Sequence, residues 1–210
     1  MKLYDFPGAP NPKKVRVYLA EKGIRIPCET VDLTTGKNRS PEFLRINPLG
    51  GLPVLVLDDG SHLTESLAII EYFEDQHPEP PMIGRTPVER ARTRELERIA
   101  EIGVLSGVAG VFQNTHPMFG PGSPLARGMG VKQSTDAAES ARRRMLNALR
   151  VLNDRIGTQP FVAGRQPTIA DCTLLAALDF AAFANADVPK ELANVHRWAA
   201  EFRKRPSVQA

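Results

Sequence analysis

The sequence predicts an α/β unit followed by an all-helical one, and three observations carry that expectation. Strand-like and helix-like runs alternate from residue 2 to residue 76. A stiff break, His77-Pro78-Glu79-Pro80-Pro81, comes next. Beyond it every periodic segment has helical spacing. The expected division is therefore a first domain over 1–77, a linker over 78–86 and a helical domain over 87–210.

Taken in order, residues 2–6 alternate and break at Pro7-Gly8, which reads as a first strand. Lys13 to Lys22, with Val15, Tyr18 and Leu19 at helical spacing, form a helix that Gly23 stops. Residues 24–33 alternate as a second strand, and 41–46 form a short helix. Val54–Asp58 and Ser61–Leu63 pair across Asp59-Gly60, a dipeptide suited to a tight hairpin. A helix over 64–76 completes the order β-α-β-α-β-β-α. After the linker, helices are expected over 87–114, 134–156, 168–184 and 192–204. The segment 116–130 is irregular, with Met118, Phe119 and Leu125 interrupting its prolines and glycines. Thr168 and Asp171 have capping-box spacing ahead of an apolar helix.

Of the 210 residues, 42% are hydrophobic and 24% charged, the balance of a globular chain with a proper core. The net charge is +3, but basic and acidic residues alternate, so no nucleic-acid footprint is expected. No apolar run has the length of a membrane span. Pro7-Gly8 arrives too early for a signal-peptide core. Cys28 and Cys172 make no disulfide framework, and the expected compartment is the cytoplasm. Both cysteines and the four histidines read as core residues, without the spacing of a metal site.

The stretch Asn47-Pro48-Leu49-Gly50-Gly51-Leu52-Pro53-Val54-Leu55 concentrates conformational exceptions at a strand entrance. Pro53 opens the strand, and a cis bond before it would turn the N–H and C=O of Leu52 away from the sheet. An extended peptide could pair with them as one more strand. After the hairpin, Thr64-Glu65-Ser66 sits at a helix start, where free N–H groups favour a carboxylate. A plain connecting loop, with Thr64 as a helix cap, is the alternative.

This order, with Asn47-Pro48-Leu49-Gly50-Gly51-Leu52-Pro53, Leu63-Thr64-Glu65-Ser66-Leu67-Ala68-Ile69 and Thr168-Ile169-Ala170-Asp171, resembles the cytosolic glutathione S-transferases over nearly the whole chain, with theta- and nu-like features. The resemblance implies a thioredoxin-like fold for the first domain. It implies a homodimeric detoxification enzyme that uses glutathione as co-substrate, without a metal, against a small electrophilic or disulfide substrate. For the tripeptide it implies Leu52 and Pro53 at the strand edge, and Glu65 and Ser66 at the γ-glutamyl end. Asn38 aligns with the family's residue for the glycine carboxylate, with Lys37 and Arg39 as neighbouring candidates.

The position that activates the thiol departs from the family pattern. Where a serine or cysteine is common stand Ala9 and Pro10, which leaves Asn11 as the implied catalytic residue, as in nu-type enzymes. An Asx-turn capping the following helix is its other reading. A thiol of pKa about 8.5 is only ~3% ionised at pH 7, so lowering it by about two units needs about 2.7 kcal/mol. A substrate wall is expected from Phe112, Asn114, His116, Met118 and Phe119, with Arg127 beside it. Glu95, Glu97, Arg98 and Glu101 read as an exposed or subunit-facing stripe. Transferase activity is the leading expectation. Reduction of disulfides or peroxides by glutathione, and a non-catalytic binding module, are the alternatives.

Overall fold

The computed structural model describes residues 1–123, 126, 127 and 130–209; Leu125 lies outside them. The chain forms two compact units. One comprises Met1–Met82 together with the segment from Arg205, and the other Ile83–Lys204.

The first unit contains β1 (Lys2–Asp5), α1 (Pro10–Glu21), β2 (Cys28–Thr30), α2 (Pro41–Ile46), β3 (Val54–Val56), β4 (His62–Leu63) and α3 (Ser66–Gln76). The sheet order is β2-β1-β3-β4, with β1 parallel to β2 and the other pairs antiparallel. A parallel pair needs a crossover, which α1 supplies. Leu3 pairs with Leu55, and both are wholly buried at the centre of the sheet. Its neighbour Tyr4 points to the opposite face, where its ring meets Phe43 of α2 edge-on at 5.7 Å.

Several boundaries differ from the sequence reading. Helix α1 begins at Pro10, since proline suits a first turn that has no carbonyl partner for its N–H. The second strand shrinks from residues 24–33 to Cys28–Thr30, an exposed edge, because Pro27 has no N–H to donate. Cys28 is therefore exposed and not a core residue, whereas Cys172 is buried. None of the four histidines is buried.

The C-terminal turn of α1 is tied by two polar knots. Lys22 Nζ, fully buried, lies 2.7 Å from Glu74 Oε2 and donates to the carbonyls of His77 and Pro80 at 2.6 Å each. Tyr18 donates to Glu74 at 2.7 Å, and the N–H of Met82 reaches its other oxygen at 2.9 Å. Next to Lys22, Glu21 accepts a two-pronged pair from Arg205 at 2.6 and 2.7 Å and the hydroxyl of Ser207 at 2.5 Å. Burial pushes the Glu21 carboxyl up, but the bonds from Arg205 and Ser207 outweigh it and hold the group below its usual range.

The second unit contains α4 (Pro87–Arg98), α5 (Ser106–Thr115), α6 (Thr135–Ile156), α7 (Ile169–Phe183) and α8 (Ala193–Phe202). Thr86 and Glu89 cap α4 reciprocally. Between α4 and α5 the helix widens into a π-helical segment, Ile99–Leu105, so the expected helix over 87–114 is not uniform. From within this segment into α5, Gly103, Gly107 and Gly110 face Ala148, Met145 and Ala141 of α6. A Cβ at these glycines would come within 2.4, 2.8 and 2.7 Å of those side chains, so the helices meet where any larger residue would collide. Glu97, read as part of an exposed stripe, is buried and accepts from Thr173 at 3.2 Å. Helix α7 is buried along most of its length, as its all-round apolar sequence requires.

Candidate active site

Within the first unit, Asn11, Asn47, Leu49, Gly51, Leu52, Thr64, Glu65 and Ser66 line one cleft of about 170 Å³. That is smaller than the ~300 Å³ at which pockets begin to enclose a small molecule. The geometry suits an extended ligand lying along an edge.

One wall is built from the Pro/Gly stretch. Asn47 braces it from within: its Oδ1 accepts from the N–H of Leu49 at 3.1 Å, and its Nδ2 donates to Gly51 O at 2.9 Å. Gly50 has φ +62°, and a Cβ there would stand 2.8 Å from Asn38 O. Only glycine suits that combination. The Leu52–Pro53 bond is cis, as the sequence suggested, and Pro53 is buried. The sheet takes up hydrogen bonding again at Val54, which pairs with Tyr4. Leu52 makes no backbone hydrogen bond with any described residue. Its N–H and C=O form an unfilled strand edge.

The opposite wall is the start of α3. Glu65 is the residue before the helix, and neither it nor Thr64 caps the helix through its side chain. The first-turn N–H groups therefore remain available at the cleft, beside the buried Ser66. The Ser66 hydroxyl and the exposed Glu65 carboxylate have no hydrogen-bond partner among the described residues. The helix dipole adds partial positive charge at that point.

Asn11 closes the third side. It is the second residue of α1, between Pro10 and Pro12, neither of which has an N–H. Asn11 thus supplies the one backbone donor of that first turn, and this N–H is unpaired among the described residues. The side chain does not cap the helix: Ala9 stands at the cap position, with no side-chain hydrogen bond. Asn11 Oδ1 is buried and lacks a partner. A buried carbonyl oxygen without a donor costs about 1–3 kcal/mol, and a ligand N–H or S–H entering the cleft could supply one.

Asn38 is placed differently. It is buried, its Nδ2 donates to Gly50 O at 2.8 Å, and it does not line the cleft. Arg39 likewise braces the loop, through Leu49 O at 3.1 Å. Of the residues picked out for this site, Asn11, Leu52, Glu65 and Ser66 meet in the cleft, while Pro53 and Asn38 stand behind it. Asn47, which also lines the cleft, was not picked out as a site residue; an asparagine directly before Pro48, in an Asx-turn, is the signal that could have found it. Lys14, one turn further along α1, is buried.

In the second unit the residues read as a substrate wall form an aromatic cluster. The ring of Phe112 lies 4.6 Å from His116, 5.3 Å from Phe119 and 5.1 Å from Phe180. Phe183, expected inside a buried apolar helix and not in this wall, joins them and is 57% exposed. Met118 is also exposed, but Asn114 is occupied: its Oδ1 accepts from Ser134 N and its Nδ2 donates to Gly110 O.

Comparison with known proteins agrees with this architecture. Residues 3–81 match the family model for the glutathione S-transferase N-terminal domain, and residues 135–201 match that for the C-terminal domain. The chain is 33% identical to glutathione S-transferase 2 of Saccharomyces cerevisiae, covering 100% of this chain and 88% of that one. The crystal structure of Gtt2 from Saccharomyces cerevisiae superposes with a TM-score of 0.89 at 32% identity, over 100% of this chain and 99% of that one. A glutathione S-transferase domain-containing protein of Marinobacter aquaeolei gives a TM-score of 0.90 at 33% identity, over 99% and 100% of the two chains. The first unit is thus thioredoxin-like, the second is the helical companion, and the chain belongs to the glutathione S-transferase family.

Proposed function

We propose that the cleft binds glutathione and that the protein activates its thiol for attack on small electrophiles, which become joined to the tripeptide through sulfur. One observation carries the reading: Asn11 with its unpaired backbone N–H, the unpaired Leu52 backbone and the open start of α3 line the same cleft. The tripeptide lies extended along Leu52 and pairs with its N–H and C=O as an added strand. Ser66 and the first-turn N–H groups of α3 hold the γ-glutamyl carboxylate, and Glu65 meets the ammonium. Pro53 supports Leu52 from behind, and Asn38 contributes by anchoring the Gly50 carbonyl.

Asn11 is assigned to the sulfur. A hydrogen bond to a charged group contributes about 1.5–3 kcal/mol, and a helix N-terminus adds about 0.3–1 kcal/mol. Together these reach the roughly 2.7 kcal/mol needed to make thiolate the major form at pH 7. The thiolate then attacks the electrophilic atom, and the leaving group departs with its electron pair. We extend the proposal to a cytoplasmic homodimer, on the strength of family membership.

Retention on immobilised glutathione, followed by parallel assays with an aryl halide and a model disulfide, tests the reading. Retention with aryl-halide turnover is expected. A folded protein that passes through the column unretained overturns it, and turnover of the disulfide alone replaces transfer with reduction.

A further inference from the structure

Ahead of Leu52, three successive carbonyls are each held by a side chain. Arg39 donates to Leu49 O at 3.1 Å, Asn38 to Gly50 O at 2.8 Å and Asn47 to Gly51 O at 2.9 Å. Asn47 also fixes donors of the same loop. Its Oδ1 accepts from the N–H of Leu49 at 3.1 Å, and its own carbonyl accepts from the N–H of Gly50 at 2.8 Å. Asn38 and Asn47 are both buried, where water competes little for such bonds.

This bonding falls where the chain is most pliable, since two adjacent glycines have the widest choice of backbone conformation. Gly50 is required by its positive φ and its closeness to Asn38 O, but Gly51 is not. Its φ lies outside the left-handed region, and a Cβ there would meet Asn47 Nδ2 at 3.5 Å, an ordinary contact. The peptide unit joining Gly51 to Leu52 is planar and trans, so the Gly51 C=O and the Leu52 N–H point in opposite directions. A side chain that holds the Gly51 oxygen therefore aims the Leu52 N–H. On the other side, the Leu52 carbonyl shares its plane with the ring nitrogen of buried Pro53.

We infer that Asn47 is a positioning residue, which aims the Leu52 N–H through the peptide unit that Leu52 shares with Gly51. Asn38 does the same for the N–H of Gly51, through the Gly50 carbonyl. Neither N–H pairs with a described residue, so both are held in direction before a ligand arrives. Binding then does not have to order them, which is a gain in affinity from preorganisation and not from a new contact. Naming the ligand as glutathione rests on the function proposed above; the aim of the Leu52 N–H does not.

Asn47→Ser tests this, because it keeps an oxygen for the turn with Leu49 but is too short to reach Gly51 O. In the free full-length protein, the NMR order parameters of the Gly51 and Leu52 amides should drop from about 0.85 to about 0.6, while Leu3 and Leu55 keep theirs. Adding Gly51→Ala narrows the freedom of the loosened unit and should recover at least half of the drop. Asn47→Asp, which has the reach but no hydrogen to donate, serves for the same measurement if Asn47→Ser does not fold. The Kd of the Asn47→Ser variant for glutathione should rise about tenfold, with kcat at saturating glutathione changed by less than about twofold. Unchanged order parameters, an equal drop across the sheet, or no recovery with Gly51→Ala would overturn the inference. So would a drop that leaves the affinity unchanged. Wild-type protein that binds no glutathione would overturn the proposed function instead, and the order parameters would still decide whether Asn47 aims the edge.

Discussion

Trp198 donates its indole N–H to Asp171 Oδ1 across 2.8 Å, joining α8 to the first turn of α7. Asp171 is wholly buried and also accepts from the N–H of Val162, the N–H of Thr168 and the hydroxyl of Thr168. The sequence showed a helix cap; the structure shows a junction of three segments. Asp171→Ala leaves all these donors unsatisfied and should cost about 3–5 kcal/mol of stability, more than a cap alone. Denaturant titration measures the loss, and specific activity of the folded fraction should be unchanged.

Burial pushes the Asp171 carboxyl from 3.8 up to about 6, only partly opposed by the bonds from Val162, Thr168 and Trp198. With the folded value above the unfolded one, the native state holds more protons between those two pH values. The stabilising contribution is complete below about pH 3.8 and is lost as pH rises through about 6, up to ~3 kcal/mol. Asp171→Asn, which does not titrate, should therefore be more costly relative to wild type at pH 4 than at pH 7. Denaturation at both pH values checks the sign.

Ser66→Ala removes the hydroxyl at the start of α3. On the proposed function, glutathione affinity should fall by roughly 1–3 kcal/mol, the loss expected when a buried acceptor loses its donor. Calorimetry on the folded variant measures it, and unchanged affinity removes Ser66 from the site.

Asn11→Ala should raise the pKa of bound glutathione, seen as a shift in the pH dependence of thiolate absorbance. The loss should be partial, about 1–2 kcal/mol, because the backbone N–H at this position and the helix dipole survive. Glutathione affinity should change little. Unaltered turnover and unaltered thiol pKa together remove Asn11 from the catalytic role.

Much of this was legible in the chain because local chemistry and tertiary role coincide. Pro53 at a strand entrance, Asp59-Gly60 in a hairpin and Thr168 with Asp171 at a helix start each announce a geometry within a few residues. The open α3 terminus was legible for the same reason. Asn38 and Asn47 were harder, since a polar loop residue reads alike whether it contacts a ligand or a neighbouring carbonyl. Glu97 was misread because flanking arginines and glutamates make α4 look solvated throughout, whereas burial depends on α7, more than 70 residues later. The wide turn over Ile99–Leu105 was not legible, because one surplus residue shifts helical spacing too little to stand out in a seven-residue window.

That wide turn has a bearing on how the chain tolerates changes of length. A π-helical segment is an α-helix holding a surplus residue, and the glycine row begins inside it at Gly103. Losing one residue ahead of Gly103 can be absorbed by tightening to ordinary α geometry, with Gly103, Gly107 and Gly110 kept in phase with α6. Losing one residue further on, inside α5, has no such slack to draw on. It would rotate the glycines off their row and bring side chains against Ala141, Met145 and Ala148. The segment is a place where the helix can be shortened without being re-aimed.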